Sequence, residues 1–268
     1  MKRLDGGVAW ITGGGSGLGA ACAAELARRG ARIALSGRRV AHLEAVAAPL
    51  RAAGAEVRVV PCDVTDEASV RAAVADIVAA WGGIDLLLAN AGFAVNGPVA
   101  TLSVADWRRQ YDTNLFGLVA CVTHALPTLR ARRGRIGLVG SVAAYLPIPG
   151  SAAYASSKAA VHLLGHTLRA ELAPDGVSVT VLHPGFVESE IGQVDNRGVH
   201  HAGRPDRRPA RLMWPAPRAA RVMVDAVLAR RAERVFTGHG RIGAFIGRHL
   251  PWLVPLLLGS RDRTTGPR

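Results

Sequence analysis

The sequence predicts an α/β fold, doubly wound, in which one parallel sheet carries helices on both faces of a single domain. Three observations carry this. Short apolar runs of strand length alternate with helical patterns through the front half. A glycine-rich loop, Thr12-Gly13-Gly14-Gly15-Ser16-Gly17-Leu18-Gly19, follows the first apolar run. The length of 268 residues, 49% hydrophobic but only 5% aromatic, suits one large domain with a core of Ala, Val, Leu and Ile. Strands that alternate with helices need crossovers, and crossovers bury a parallel sheet on both sides.

The elements follow in order. Residues 7–12 are a buried-strand run, and the glycine loop opens a helix over 18–29 that Gly30 closes. Residues 31–36 form a second strand, 40–53 a helix ended by Gly54, and 57–62 a third strand. Asp63 and Asp66 offer capping oxygens before a helix over 67–81. A fourth strand, 84–89, runs into Asn90-Ala91-Gly92. A long helical stretch with Trp107 and Asn114 leads to a strand over 135–140, the helix carrying Tyr154, and a strand over 177–182. Beyond Pro184-Gly185 the pattern dissolves. Residues 186–215, rich in Gly, His, Arg and Pro, are too long for an ordinary connector and are expected to form a substrate lid. A helix over 216–230 and a strand over 234–237 restore order. The domain is expected over 1–240, with a hydrophobic then basic tail over 241–268.

Composition narrows the function classes. The formal charge of +13 raises the question of nucleic acid, but the arginines are spread through helices and loops, so no nucleic-acid partner is expected. Cys22, Cys62 and Cys121 have neither pairing nor metal-type spacing and read as small buried side chains of a reducing compartment. The first strand begins within a few residues of Met1, so a cytoplasmic location is expected. His200-His201 sit in the arginine-rich loop without a carboxylate or cysteine close in sequence, and no metal is expected there. Residues 242–258 are apolar but interrupted by Arg248, His249, Pro251 and Pro255. Such a segment packs on the protein or lies at a lipid interface as a peripheral membrane contact.

The chemistry concentrates in three places. A glycine turn between a strand and a helix lets backbone N–H groups reach a pyrophosphate without Cβ obstruction, and Gly13, Gly17 and Gly19 hold the fixed places of that turn. The second strand ends in Ser36-Gly37-Arg38-Arg39, with no carboxylate for a ribose 2′-hydroxyl. Arginine there accepts a 2′-phosphate, so NADP(H) is preferred to NAD(H). Tyr154 and Lys158 are four residues apart on one helix face. A phenol has a pKa of about 10, and a nearby ammonium favours its ionised form. The only other lysine is Lys2; arginine fills every other basic position, so the adjustable ammonium has been kept at 158. Singly, Tyr154 and Lys158 fit an ordinary amphipathic helix, Ser141 a strand end and Asn114 a helix surface. Together with the glycine loop they describe hydride transfer.

The segments TGGGSGLG at 12–19, CDV at 62–64, NAG at 90–92, TNLFG around Asn114, GSVAA around Ser141, YASSK at 154–158 and HPG at 183–185 resemble the short-chain dehydrogenase/reductase family, in its single-domain NAD(P)-dependent form. The resemblance extends to about residue 240. It implies a Rossmann-type sheet of seven strands and a homodimer or homotetramer. It also implies that Tyr154 is the acid/base, that Ser141 binds the substrate oxygen, that Lys158 lowers the tyrosine pKa and holds the nicotinamide ribose, and that Asn114 holds a relay water. By the same resemblance Gly13, Gly15, Ser16, Gly17, Leu18 and Gly19 cradle the cofactor with Arg38 and Arg39, Asp63 and Val64 meet the adenine, and Asn90, Ala91 and Gly92 line the channel. Pro184, Gly185 and Val187 face the nicotinamide, and Ser189 stands where the family often has threonine. Phe186 and Trp214, with Leu212 and Met213, make a hydrophobic alcohol, ketone or aldehyde the expected substrate. The other readings are a redox-neutral dehydratase or epimerase, and a catalytically silent NADP-sensing protein.

Overall fold

A computed structural model describes residues 2–206, 208–254 and 256. Seven strands form one parallel sheet: β1 Val8–Thr12, β2 Arg32–Gly37, β3 Val57–Pro61, β4 Leu86–Ala89, β5 Arg135–Val139, β6 Ser178–His183 and β7 Glu233–Val235, in the spatial order 3-2-1-4-5-6-7. The helices are α1 Gly17–Arg28, α2 Val40–Ala52, α3 Glu67–Trp81, α4 Val104–Tyr111, α5 Gly117–Ala131, α6 Ala152–Leu172, α7 Ala216–Leu228 and α8 Gly238–His249. The order reverses between β1 and β4, and ligands of such sheets bind outside the strand ends at that point.

The all-apolar strands reflect burial on both faces. In β1, Ala9 and Ile11 point into one core with Cys22 and Leu26 of α1 and Met223 and Val224 of α7. Val8 and Trp10 point into the other, with Ile77 of α3, Cys121 of α5 and Val161 of α6. Trp10 stays wholly buried because its indole N–H donates to Ser36 Oγ at 2.8 Å. Arg29, also wholly buried, joins Glu25 of α1 to Asp225 of α7.

Strand and helix ends shift from their expected places by a residue or two, and three stretches differ in kind. The long helical stretch is interrupted at Asp112–Phe116 by a π-helical turn between α4 and α5, which carries Asn114. The lid segment contains short 3-10 turns at Glu190–Gln193 and Ala210–Leu212. The apolar tail begins as a helix, α8, which crosses the boundary expected at 240/241. Its glycines explain the packing: a Cβ at Gly243 would meet Leu146, and one at Gly247 would collide with the Tyr145 carbonyl. Pro255 and the basic end, 257–268, lie outside the described residues.

Candidate active site

A cleft of about 300 Å³ opens at the carboxyl ends of the strands. Its floor at one end is the turn after β1. Gly13 (φ 65°) and Gly17 (φ 51°) adopt left-handed backbone that other residues resist. Side chains there would also collide: a Cβ at Gly13 would lie 2.9 Å from Ala91 Cα, and one at Gly17 2.9 Å from Ser189 Cβ. Gly15, Ser16 and Leu18 line the cleft beside them, whereas Gly19 sits behind the turn, where a Cβ would strike the Gly13 carbonyl. The start of α1 leaves its first N–H groups facing this space. A glycine cradle at the N-terminus of a twelve-residue helix fits a dinucleotide pyrophosphate.

Arg38 and Arg39 reach the cleft from the end of β2. Arg39 pairs with Glu190 of the 186–215 segment at 2.8 Å, and among the described residues Arg38 makes only a long contact, 3.4 Å, to the Gly198 carbonyl. Burial alone would raise the Glu190 carboxyl, but hydrogen bonds from Arg39 and Ser16 leave it below the usual range. Asp63 and Val64 line the wall opposite. Asn90 ties β4 to the glycine turn: its Nδ2 donates to the carbonyls of Thr12 and Gly13, while Thr12 Oγ1 accepts from the backbone N–H groups of Asn90 and Ala91.

At the other end lie Ser141, Tyr154 and Lys158. The Ser141 hydroxyl acts on the Tyr154 phenol, favouring its ionised form, and Ser141 Oγ accepts from the Ala143 N–H at 3.1 Å. Lys158 is buried, its Nζ donating to the Val139 carbonyl at 2.8 Å and standing 5.9 Å from the Tyr154 ring centre. Burial lowers its pKa to about 8. Burial raises the Tyr154 pKa, and the Ser141 hydroxyl and the charge of Arg208 offset part of this. Asn114 is buried beneath them; its amide pairs with both backbone groups of Phe93 and donates to Ser157 Oγ at 3.3 Å. Gly92 lets it approach, since a Cβ there would sit 3.0 Å from Asn114 Oδ1.

Pro184, Gly185, Val187 and Ser189 line the cleft above the tyrosine. Phe186 and Trp214 do not: Phe186 stacks on His239 at 5.3 Å, and Trp214 lies between Phe236 and the Arg218 guanidinium. Apolar lining comes instead from Phe93, Ile191 and Val194. The histidines of the lid do have carboxylate neighbours, contrary to the expectation: His201 meets Asp195 at 2.8 Å and His200 stands 3.9 Å from Glu190. Arg208 escapes sequence reasoning, because an arginine-rich segment gives no sign of which arginine turns inward. It enters the cleft, pairs with Asp206 at 2.6 Å and donates to the carbonyls of Val187 and Ser189.

Comparison with known proteins gives the family. The short chain dehydrogenase family profile matches residues 7–199, which covers more than half of the chain. The chain belongs to the short-chain dehydrogenase/reductase family. It is therefore an oxidoreductase of alcohol and carbonyl groups, in a family that uses NAD or NADP. A serine 3-dehydrogenase of Rhizobium radiobacter is 36% identical over 72% of this chain and 76% of its own length. The 11-beta-hydroxysteroid dehydrogenase A of Sesamum indicum is 37% identical over 72% of this dehydrogenase/reductase and 56% of the relative. A short chain dehydrogenase/reductase of Burkholderia phymatum, solved in complex with NAD, superposes with a TM-score of 0.83 at 28% identity, over 99% of this chain and 100% of that one.

Proposed function

We propose that the chain is an NADP-preferring oxidoreductase that interconverts a hydrophobic alcohol and its ketone or aldehyde, with Tyr154 as acid/base. One observation carries the reading: Tyr154, Ser141 and Lys158 line the same cleft that opens onto the glycine turn and Arg38. A bound nicotinamide supplies or accepts the hydride. As charge grows on a carbonyl oxygen, Tyr154 gives its proton and Ser141 donates a second hydrogen bond. A phenol raised by burial holds that proton until the oxygen turns basic. Lys158 stands beneath to orient the ribose, and Asn114, linked through Ser157 Oγ to the Tyr154 carbonyl, braces the relay side.

The absence of a carboxylate at the end of β2 supports NADP, with Arg38 the freer of the two arginines. Phe93, Ile191 and Val194 support an apolar substrate, with Phe186 and Trp214 proposed to reach it only if the lid rearranges. Arg208 favours a second reading. Its guanidinium lines the cleft and its charge reaches Tyr154; on exchanging its pair with Asp206, at 2.6 Å, for the substrate it would bind the carboxylate of a hydroxy acid. The test is consumption of reduced cofactor with NADPH and NADH across hydrophobic ketones, aldehydes and keto acids. Turnover of the apolar compounds supports the first reading, and turnover confined to keto acids and lost in Arg208→Gln supports the second. Product formed without net cofactor change would indicate a redox-neutral enzyme, and binding without chemistry a sensor.

Two partner assignments belong here. Exposed Phe116 at the end of the π-helical turn, Val119 of α5 and Leu163 of α6 support self-association as a dimer or tetramer. Ile242, Phe245, Trp252 and Leu256 are exposed on the side of the tail away from its glycine contacts, next to exposed Arg241. With a net charge of +13 this surface suits an anionic bilayer.

A further inference from the structure

Behind Ser141, on the side away from the cleft, five polar side chains from five segments form one connected chain. His183, the last residue of β6, is wholly buried, and its Nδ1 lies 2.9 Å from the Ser141 carbonyl. The imidazole reaches that carbonyl only because residue 140 is glycine, where a Cβ would lie 2.8 Å from the ring. His183 Nε2 lies 3.2 Å from His162 Nδ1, and His162 Nδ1 lies 3.3 Å from the Tyr145 hydroxyl. Tyr145 donates to Glu233 Oε1 at 2.7 Å, and Arg248 of α8 donates to both oxygens of Glu233 and to the Tyr145 hydroxyl. His166 approaches the second carboxylate oxygen at 3.2 Å. His162 and His166 continue the i+4 series begun by Tyr154 and Lys158, so one stripe of α6 serves both the cleft and this chain.

The donors can be ordered with one hydrogen shared, the Nδ1–H of His162 between His183 Nε2 and the Tyr145 oxygen. A carbonyl only accepts, so His183 carries its proton on Nδ1 and accepts at Nε2 from the Nδ1–H of His162. The carboxylate only accepts, so the Tyr145 hydroxyl faces Glu233 and takes its own donor from Arg248. The Ser141 turn is also held by Val142 N–H to the Pro184 carbonyl at 3.0 Å and by Gly140 N–H to the Leu182 carbonyl at 2.8 Å. Ala144 N–H also donates to the Ser141 carbonyl, at 3.1 Å; His183 gives that carbonyl its second and shorter bond and so holds the plane of the peptide from which Oγ projects.

We propose that His183 is a positioning residue for Ser141, and that His162, Tyr145, Glu233 and Arg248 act through it, so that α8, beyond the matched residues 7–199, completes the active site. The proposal rests on the reading of Ser141 as the group that binds the substrate oxygen. His162, His183 and Glu233 also bring their ligand atoms within 4.8 Å of one another, as a metal site would. The guanidinium of Arg248 against the carboxylate opposes that use, since a bound cation would face a fixed positive charge.

A double-mutant cycle is the test, with cofactor affinity followed separately by fluorescence titration. His183→Leu is expected to lower kcat about 10- to 100-fold with little change in cofactor Kd, and His183→Asn, whose amide N–H can replace Nδ1–H, to recover most of it. In a Ser141→Ala background His183→Leu should change kcat less than about twofold; full multiplication of the two losses would overturn the proposal. A second measurement does not depend on turnover. In ¹⁵N-histidine spectra His183 should appear as the neutral Nδ1–H form, with His162 also protonated on Nδ1. An Nε2–H form of His183, or stoichiometric zinc retained by the purified protein, would overturn it. If no carbonyl compound is reduced but the spectra agree, the network stands and the assignment of Ser141 to catalysis is what has failed.

Discussion

The imidazole of His183 sets how the protein answers to acid. Burial lowers its pKa to about 4, against about 6.5 in an unfolded chain. A base whose folded pKa is depressed is neutral in the native state and charged only at a cost, so its contribution is intact above pH 6.5 and is lost as the pH falls from there through 4. The loss amounts to roughly 3 kcal/mol for this group. Glu233, held at about 2 chiefly by Arg248 and Tyr145 against its burial, stays ionised across the window and adds its own loss only below about pH 4.5. Urea midpoints measured from pH 7 to pH 4 should therefore fall, and His183→Asn should flatten the fall; an unchanged slope would mean that another group titrates. Arg38 offers a second test at this scale. Replacing it with alanine should weaken NADPH by about 10- to 100-fold, the worth of a charge-assisted pair, and leave NADH within about twofold. Equal losses for both cofactors would remove the phosphate argument.

Between elements, the contact with the clearest consequence is the one Arg29 makes. Its guanidinium is fully buried between α1 and α7, with Glu25 on its own helix and Asp225 across. Arg29→Met would leave Glu25 to Arg28 alone and remove the link to Asp225, and thermal or chemical unfolding should show a loss of about 1–3 kcal/mol. Glu25→Gln in the same chain should restore part of it. Contacts of this kind also mark what could be read in advance. The order of β1 to β7 and the helices between them followed from apolar runs, glycine stops and capping carboxylates, because those signals are local. Ser141, Tyr154, Lys158 and the glycine turn were legible for the same reason. What was not legible depends on distance in sequence: His183 reaching Ser141, Arg208 turning inward, and Arg248 meeting Glu233 are fixed by tertiary packing alone. The signal for α8 was present but overshadowed by its apolar residues; Gly240, Gly243 and Gly247 form a small-residue face that lets the helix lie on the Val142–Tyr145 turn.

For the whole molecule, shape and charge bear on where it works and with what. No helix among the described residues is long and apolar enough to cross a membrane. The exposed row from Ile242 to Leu256 should bind vesicles containing phosphatidylglycerol and ignore neutral ones, and Phe245→Glu with Trp252→Glu should release the protein without altering its turnover of a soluble substrate; co-sedimentation with neutral vesicles alone would point to apolar contact without charge. The account as a whole turns on a proton leaving Tyr154 as hydride arrives. The direct measurement is the steady-state rate of Tyr154→Phe with NADPH and the best carbonyl substrate, paired with cofactor titration of the same variant. The account predicts turnover lower by at least about 100-fold with NADPH affinity within about threefold of the parent. A variant that turns over at the parent rate while binding cofactor normally would contradict it.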